Sequence, residues 1–194
     1  TEAMVQKLTL EQTDQGLVAN GVHVRHKGHD QLITARKEVL LAAGAVASPQ
    51  ILQLSGIGEP ELLQQHGIEV KCELPGVGQN LQDHLQIRTI YSVDNTVTLN
   101  RRAKYPWGMA KMGLEYFFKK TGPMTMPPSQ LGAFAKSDPA QASANIEWHV
   151  QPLSLDAFGS PLHKYDAITP SVCNLRPSSR GSISITSVDP AAAP

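Results

Sequence analysis

The sequence predicts an α+β protein built in two parts that meet near residues 83–86. In the first part, segments of alternating polarity, typical of half-buried strands, lead into one continuous apolar segment and two short helices. In the second part, several candidate strands accompany a single helix, which is typical of an antiparallel sheet covered by helices. The chain has 194 residues and 41% hydrophobic content, which is enough for one ordinary domain or two small ones.

The first part opens with three predicted strands. Residues 4–10 alternate between apolar and polar side chains, and residues 17–25 do the same, with a bulge or turn expected at Asn20. A third short strand is predicted over residues 31–35. The following segment VLLAAGA, residues 39–45, is apolar on both faces and ends in small residues. That pattern predicts a central parallel strand whose carboxyl end meets a ligand.

Two short helices are predicted after the apolar segment. Ser48 and Pro49 predict the start of the first, because a serine hydroxyl can accept a free backbone N–H and proline suits the first helical position. This helix is expected to end near Leu54, before a structural glycine turn at residues 55–58. The second helix is predicted over residues 60–65.

The second part contains one predicted helix, over residues 107–119, among strands. The first predicted strand covers residues 87–93. Four more follow the helix: LGAFAKS (131–137), NIEWHVQP (145–152), YDAITPSVCNL (165–175) and GSISITSV (181–188). This order of elements predicts a mainly antiparallel sheet in the second part.

Charge and cysteine usage exclude several classes of function. The 17 basic residues balance 17 acidic ones. This balance argues against nucleic acid as a partner, since protein surfaces that bind nucleic acid carry an excess of basic residues. No run of 18 apolar residues occurs, so no transmembrane segment is predicted. Cys72 and Cys173 lack the close spacing of metal ligands, and we interpret them as buried thiols. No metal site is therefore expected.

Four separated motifs resemble those of the glucose–methanol–choline (GMC) flavoprotein oxidoreductases. They are KEVLLAAGA (37–45), GAVASPQILQLSGIG (44–58), LPGVGQNLQDHL (74–85) and CNLRPSSRGSISITSVDP (173–190). The resemblance implies that residues 1–84 are the later part of an FAD-binding α/β domain and residues 85–194 most of a substrate-binding domain. It also implies FAD as cofactor, a small-molecule alcohol as substrate, and oxygen or a separate electron acceptor as the final oxidant.

Seven cofactor-binding residues follow from the resemblance: Val5, Ala42, Ala43, Gly44, Asn80, Asp83 and His84. The small residues of this set would let the backbone approach FAD closely, although tight packing between a strand and a helix needs the same residues. The side chains of Asn80 and Asp83 would lie near the flavin or, equally, hold a hinge by local hydrogen bonds.

Two substrate-binding residues are proposed from the second part. The resemblance aligns Gln130 with a position at which choline-oxidising members of the family carry a glutamate. A carboxylate at that position suits the quaternary ammonium group of choline. A neutral glutamine there favours an uncharged alcohol, and a choline dehydrogenase-type protein is the alternative. Trp148 lies on a predicted strand, where it would line a substrate cavity or fill a core.

No catalytic residue is assigned to this chain. The resemblance places the family's pyrophosphate-binding GxGxxG turn and its catalytic histidine outside these 194 residues. His84 is not assigned as the base, because a histidine beside Asp83 is typical of a satisfied polar pair. We therefore expect the chain to be inactive alone and not to retain FAD. A different class of function stays open, a non-catalytic module that folds and dimerises without the cofactor.

Overall fold

The computed structural model describes residues 2–157 and 159–194, which form helices and sheets of an α+β protein. The chain divides into two compact units. Unit one contains residues 1–82 together with 179–194, and unit two contains residues 83–178. The sequence predicted residues 179–194 as part of the second domain, whereas the chain returns to unit one for them.

The sheet of unit one is antiparallel and contains three strands. They are β1 (Ala3–Thr13), β2 (Gly16–His26) and β3 (His29–Thr34), in that order. The predicted bulge is confirmed: Thr9 pairs with Gly21 and Leu10 pairs with Ala19, which leaves Asn20 as the extra residue of β2. All three predicted strands are confirmed.

The predicted central parallel strand at residues 39–45 is wrong. None of the described strands pairs with this segment, and the first helix already begins at Gly44. A strand needs neighbours to pair its backbone groups, and a central parallel strand is covered on both faces. Here Leu40 is 81% exposed and residues 42–46 are exposed as well, so the segment lies on the surface of unit one.

Helix α1 (Gly44–Leu54) begins earlier than the sequence predicted. Pro49 lies inside the helix, and Ser48 does not cap it, because its hydroxyl accepts the backbone N–H of Ala43 at 3.1 Å. Gly44 has a φ of +82°, a left-handed conformation that suits glycine at this irregular start. The predicted cap at residues 48–49 is therefore wrong.

The turn after α1 has the structural role that the sequence predicted. The buried Ser55 hydroxyl donates to the Ile51 carbonyl at 2.6 Å and accepts the Leu8 backbone N–H of β1 at 2.8 Å. Gly56 has a φ of +86°, and a Cβ there would collide with the carbonyl oxygen of Glu69. The turn thus joins α1 to β1 and brings the following segment close.

A short parallel ladder and a second helix complete this region. Strand β4 (Ile57–Gly58) pairs with β5 (Cys72–Glu73), and helix α2 (Pro60–Gln65) connects them. Helix α2 has the bounds that the sequence predicted. It ends before Gly67, whose φ of +67° fits the usual glycine at the end of a helix.

Gln53 of α1 holds three segments of unit one together. Its side chain is 1% exposed, and its Oε1 accepts the backbone N–H of Ile185 at 2.9 Å. Its Nε2 donates to the carbonyl oxygens of Ile183 and Val77, at 3.1 and 3.3 Å. Because both ends of the carboxamide are paired, this polar side chain can be buried without an unsatisfied group.

The strand predicted over residues 181–188 is wrong. In the described chain, this segment makes only an isolated bridge between Gly181 and Leu81, followed by a bond from the Ile183 N–H to the Gly78 carbonyl at 2.7 Å. Gly78 has a φ of +82°, so the partner is a turn that cannot continue an extended ladder. The next backbone N–H in the pattern, that of Ile185, bonds to the Gln53 side chain instead.

Among its described residues, unit two contains a five-stranded antiparallel sheet, two α-helices and a short 3-10 helix (Pro123–Thr125). The order is β6-β10-β9-β8, and β7 also pairs with β10. The bounds are β6 (Gln86–Arg88), β7 (Tyr91–Ser92), α3 (Leu99–Arg102), α4 (Pro106–Lys119), β8 (Leu131–Ala135), β9 (Ile146–Gln151) and β10 (Ala167–Asn174). The predicted α4 is confirmed, and no helix in the described ranges is long and apolar enough to cross a membrane.

Buried polar groups fix the loops of unit two. The Asn100 side chain, 1% exposed, donates to the carbonyl of Ser154 at 3.0 Å and accepts the Ser154 N–H at 2.8 Å. Asp166 accepts both the backbone N–H and the hydroxyl of Thr98, each at 2.9 Å. The Thr98 N–H in particular holds the pKa of the Asp166 carboxyl below its ordinary value, with a further contribution from Arg101.

Replacing Gln53 should destabilise unit one strongly. Gln53→Leu keeps most of the volume but leaves the Ile185 N–H and two carbonyls without partners. We expect the free energy of unfolding, measured in urea, to fall by about 3 kcal/mol. The control is Gln64→Leu at an exposed position of α2. Equal effects of the two changes would contradict this account of the carboxamide.

Substitutions at two glycines distinguish the cost of backbone strain from the cost of a steric collision. Gly44 and Gly78 share a φ of +82°, but an added Cβ meets no atom within 4 Å at Gly44 and strikes the Ile183 carbonyl at Gly78. We expect Gly44→Ala to lower the free energy of unfolding by about 1–2 kcal/mol, the cost of a left-handed alanine. Gly78→Ala should cost more in the same urea titration, and a smaller or equal loss would refute the steric contribution.

Candidate functional site

Unit one contains a cavity between α1 and the loop that follows β5. Its volume is about 450 Å³. The walls include Ala45, Ser48 and Leu52 from α1, Gly78 and Asn80 from the loop, and Ile183 from the C-terminal segment. Three of the sequence motifs therefore meet at one place: GAVASPQILQLSGIG, LPGVGQNLQDHL and CNLRPSSRGSISITSVDP.

The local backbone explains how the loop reaches this cavity. Gly78 adopts a left-handed conformation, and its carbonyl accepts the Ile183 N–H, which holds the loop against the C-terminal segment. Asn80 has a φ of +63°, a conformation that asparagine tolerates better than most residues. The side chain of Asn80 is exposed, so its amide is available to a bound molecule.

The start of α1 presents backbone groups to solvent. Ala43 precedes the helix without a side-chain cap, and the first turn contains no acidic residue. The free N–H groups of a helix N-terminus, together with the helix dipole, favour an anionic group. Residues 42–45 are exposed and carry no side chain larger than a methyl group, so a large molecule can approach their backbone closely.

These features fit a large planar cofactor that carries phosphates. The cavity exposes more apolar than polar surface, as a flat ring system requires, and the Asn80 amide adds a polar group at its edge. The uncapped helix start adds a positive partial charge, and the small side chains of residues 42–45 leave room. The donors present thus suit the cofactor that the motifs implied.

The predicted cofactor residues are distributed over both units. Asn80 lines the cavity, whereas Val5 is half-buried in β1 opposite Val24 and does not line it. Asp83 and His84 belong to unit two. Both are exposed, and the Asp83 carboxylate accepts the His84 backbone N–H at 2.9 Å, a local bond of the kind expected at a hinge.

The two predicted substrate residues lie on the sheet of unit two. Gln130 is exposed just before β8, its side-chain Nε2 lies 2.9 Å from the sulfur of Met126, and its backbone N–H bonds to the Val150 carbonyl. Trp148 is half-buried on β9, between Val172 of β10 and Ala133 of β8. Their assignment to substrate binding stays a prediction.

Some residues of the cavity wall were not predicted as site residues. Leu52 was predicted as part of the first helix, and Gly78 as part of a loop. Ala45 ends the apolar segment whose carboxyl end was expected to meet a ligand, and it lines the cavity. Ile183 lies in the fourth motif, but its place in the wall depends on contacts between segments that are far apart along the chain.

A serine, histidine and aspartate also come together in unit two. His163 lies with Nδ1 3.0 Å from the Ser154 hydroxyl and Nε2 3.1 Å from the Asp156 carboxylate. Ser154 is 0% exposed, so its hydroxyl cannot meet a substrate, and we interpret the contacts as structural. Burial also raises the pKa of the Cys173 thiol, with a further contribution from Glu147, so this thiol is not a reactive nucleophile.

Known proteins resemble this chain along most of its length. Residues 1–86 match the family described as GMC oxidoreductase. The oxygen-dependent choline dehydrogenase of Chromohalobacter salexigens is 39% identical over 180 residues, 93% of this chain and 32% of that protein. The oxygen-dependent choline dehydrogenase of Klebsiella pneumoniae is 43% identical over 161 residues, 83% of this chain and 29% of that protein. The chain thus spans about a third of the length of the curated relatives it matches.

Solved structures share the fold. A crystal structure of formate oxidase superposes with a TM-score of 0.87 at 23% identity, over 100% of this chain and 38% of that chain. Pyridoxine 4-oxidase from Mesorbium loti superposes with a TM-score of 0.65 at 24% identity, over 96% of this chain and 32% of that chain. With the family match and the relatives near 40% identity, these likenesses confirm the resemblance of the motifs: the chain belongs to the GMC oxidoreductase family, a family of FAD-dependent enzymes.

Proposed function

We propose that the protein containing this chain is an FAD-dependent oxidoreductase that oxidises the CH–OH group of a small alcohol. The observation that carries the proposal is the cavity at which three GMC-like motifs meet, beside the uncapped start of α1. The chain's membership of the GMC family supports the same cofactor. FAD would supply the hydride acceptor for the alcohol carbon.

In this proposal, unit one is part of the FAD-binding domain. Residues 42–45 would hold the cofactor through their backbone, because their side chains are small and exposed. The free N–H groups at the start of α1 would stabilise negative charge on it. Asn80 would place its amide at the edge of the cofactor, and Val5, Asp83 and His84 would contribute further contacts, as the motifs imply.

Unit two is proposed as most of the substrate-binding domain. Gln130 and Trp148 would contact the alcohol, and the neutral amide of Gln130 favours an uncharged substrate. No residue of this chain is assigned to proton transfer. We therefore propose that the 194 residues alone neither turn over substrate nor retain FAD, and that the reduced cofactor of the intact protein passes its electrons to oxygen or a separate acceptor.

A pair of neighbouring substitutions in α1 tests the cofactor site. Ala45 lines the cavity, so Ala45→Leu in the intact protein should fill part of it. We expect this change to lower the affinity for FAD at least about tenfold, and so to lower the amount of flavin bound per chain. Val46 is exposed and is not among the lining residues, so Val46→Leu is the control. Visible absorption and flavin fluorescence after gel filtration measure the bound cofactor.

Four outcomes of the flavin measurements decide the proposal. Loss of flavin in Ala45→Leu with retention in Val46→Leu supports the cavity as part of the site. Full flavin in both variants would place the cofactor elsewhere. An intact protein without flavin, even after incubation with FAD, would favour the non-catalytic module, and flavin absorption by the isolated 194 residues would refute their proposed inability to retain FAD.

Choline is a second candidate substrate. Relatives at 39% and 43% identity are named oxygen-dependent choline dehydrogenases, which favours choline on the evidence of likeness. The neutral side chain at position 130 argues the other way, since a cation is best held by a carboxylate or an aromatic face. The preference between choline and an uncharged alcohol therefore depends on which residues contact the substrate.

A single substitution at position 130 tests the substrate preference. In the intact protein we expect a neutral alcohol to have the higher kcat/KM, and Gln130→Glu to raise kcat/KM for choline at least about tenfold while lowering that for the neutral alcohol. The control is Gln141→Glu, at an exposed position outside β8 and β9. Efficient turnover of choline by the unmodified protein would contradict the argument from Gln130.

A further inference from the structure

Three possible metal ligands converge on one face of the sheet in unit two. Glu147 and His149 are two residues apart on β9, so their side chains point to the same face. Cys173 of β10 pairs directly with Glu147 and therefore shares that face. The carboxylate, imidazole and thiol atoms all lie within 4.8 Å of one another.

We propose that Glu147, His149 and Cys173 form a binding site for Zn²⁺ or a similar divalent transition-metal ion. The site lies outside the cavity of unit one and does not depend on the proposed redox function. This proposal departs from the sequence-based expectation of no metal site. The sequence carries no signal for the site, because its ligands come from two strands and not from one closely spaced motif.

Two of the three distances between the ligand groups suit tetrahedral coordination, and the third, from the His149 imidazole to Cys173 Sγ, is at most 4.8 Å. His149 Nε2 lies 3.3 Å from a Glu147 oxygen, and Cys173 Sγ lies 3.7 Å from the other Glu147 oxygen. With metal–ligand bonds of about 2.0–2.3 Å, the edges of a tetrahedron are about 3.3–3.8 Å long. A cation could therefore bind with small side-chain adjustments, and a water molecule would complete its coordination.

The chemistry of the three ligands selects the class of metal. A thiolate with an imidazole and a carboxylate suits Zn²⁺ or Co²⁺, whereas Mg²⁺ and Ca²⁺ require mainly oxygen ligands. A metal ion can reach the site from solvent on the His149 side, because that side chain is 39% exposed. Cys173, on the other side, is buried. Binding would release the Cys173 S–H proton to solvent as the sulfur–metal bond forms.

The neighbouring strands determine what else faces the ion. Arg88 of β6 pairs with Ser171 and so lies on the same face, where its positive charge opposes a cation. On the other side, Gly132 of β8 pairs with His149 and Phe134 pairs with Glu147. Affinity would thus depend on the bonds to sulfur and nitrogen more than on net charge, which again favours a transition metal.

Cobalt absorption tests the site directly in the purified, metal-free protein. We expect one Co²⁺ per chain, with the intense near-ultraviolet absorption of a cobalt–thiolate bond, and displacement of Co²⁺ by Zn²⁺ but not by Mg²⁺. Cys173→Ser should abolish that absorption. His149→Gln and Glu147→Gln should each weaken Zn²⁺ binding at least about tenfold, as measured by competition with a coloured chelator.

Cys72→Ser is the matched control, since the sequence contains two cysteines and Cys72 lies in unit one. It should leave the cobalt spectrum unchanged. The proposal is overturned if the unmodified protein binds no Co²⁺, if bound Co²⁺ shows no thiolate absorption, or if Cys72→Ser removes it. The measurements on the unmodified protein and on Cys72→Ser remain decisive even if a β9 or β10 variant fails to fold.

Discussion

The carboxamide of Gln53 is the contact on which the arrangement of unit one depends. It is buried, and it bonds to segments 24 and 132 residues away along the chain: the Val77 carbonyl and the Ile185 N–H. A glutamine in this position satisfies one backbone donor and two backbone acceptors at once, which hydrophobic packing cannot do for buried backbone groups. The cavity beside it has Gly78 and Ile183 in its wall, so the same bonds that stabilise the unit also position the candidate site.

The two ends of helix α1 differ in burial. Its C-terminal half is buried through Ile51 and Gln53, and Ser55 ties its end to the sheet. Its N-terminal turn is exposed and uncapped, and it carries small side chains. Burial at one end also fixes the other, because an anchored helix holds its free N–H groups in set directions. The motif that spans this helix therefore encodes both an anchor and a surface.

Local patterns predicted the elements that depend on nearby residues. The alternating strands β1 and β2 and helix α4 follow from side-chain periodicity alone, and the motifs sufficed to identify the family. Residues 39–45 and 181–188 were predicted as strands wrongly, because a strand is defined by its partners and apolar composition does not supply them. The same limit applies to the candidate site: Asn80 was predicted, but its meeting with α1 depends on contacts between distant segments.

Unit one is formed by two separate segments of the chain, and unit two lies between them in the sequence. Unit two leaves unit one after residue 82 and returns before residue 179, and Leu81 and Gly181 exchange two backbone hydrogen bonds, of 2.8 and 2.9 Å. Unit two is therefore an insertion whose entry and exit are joined within the host unit, an arrangement that tolerates exchange of the inserted part. Evolution can lengthen, shorten or replace the inserted sheet while the bonds that close the host stay the same. Sequence changes in unit two can thus accumulate without disturbing the hydrogen bonds that close unit one.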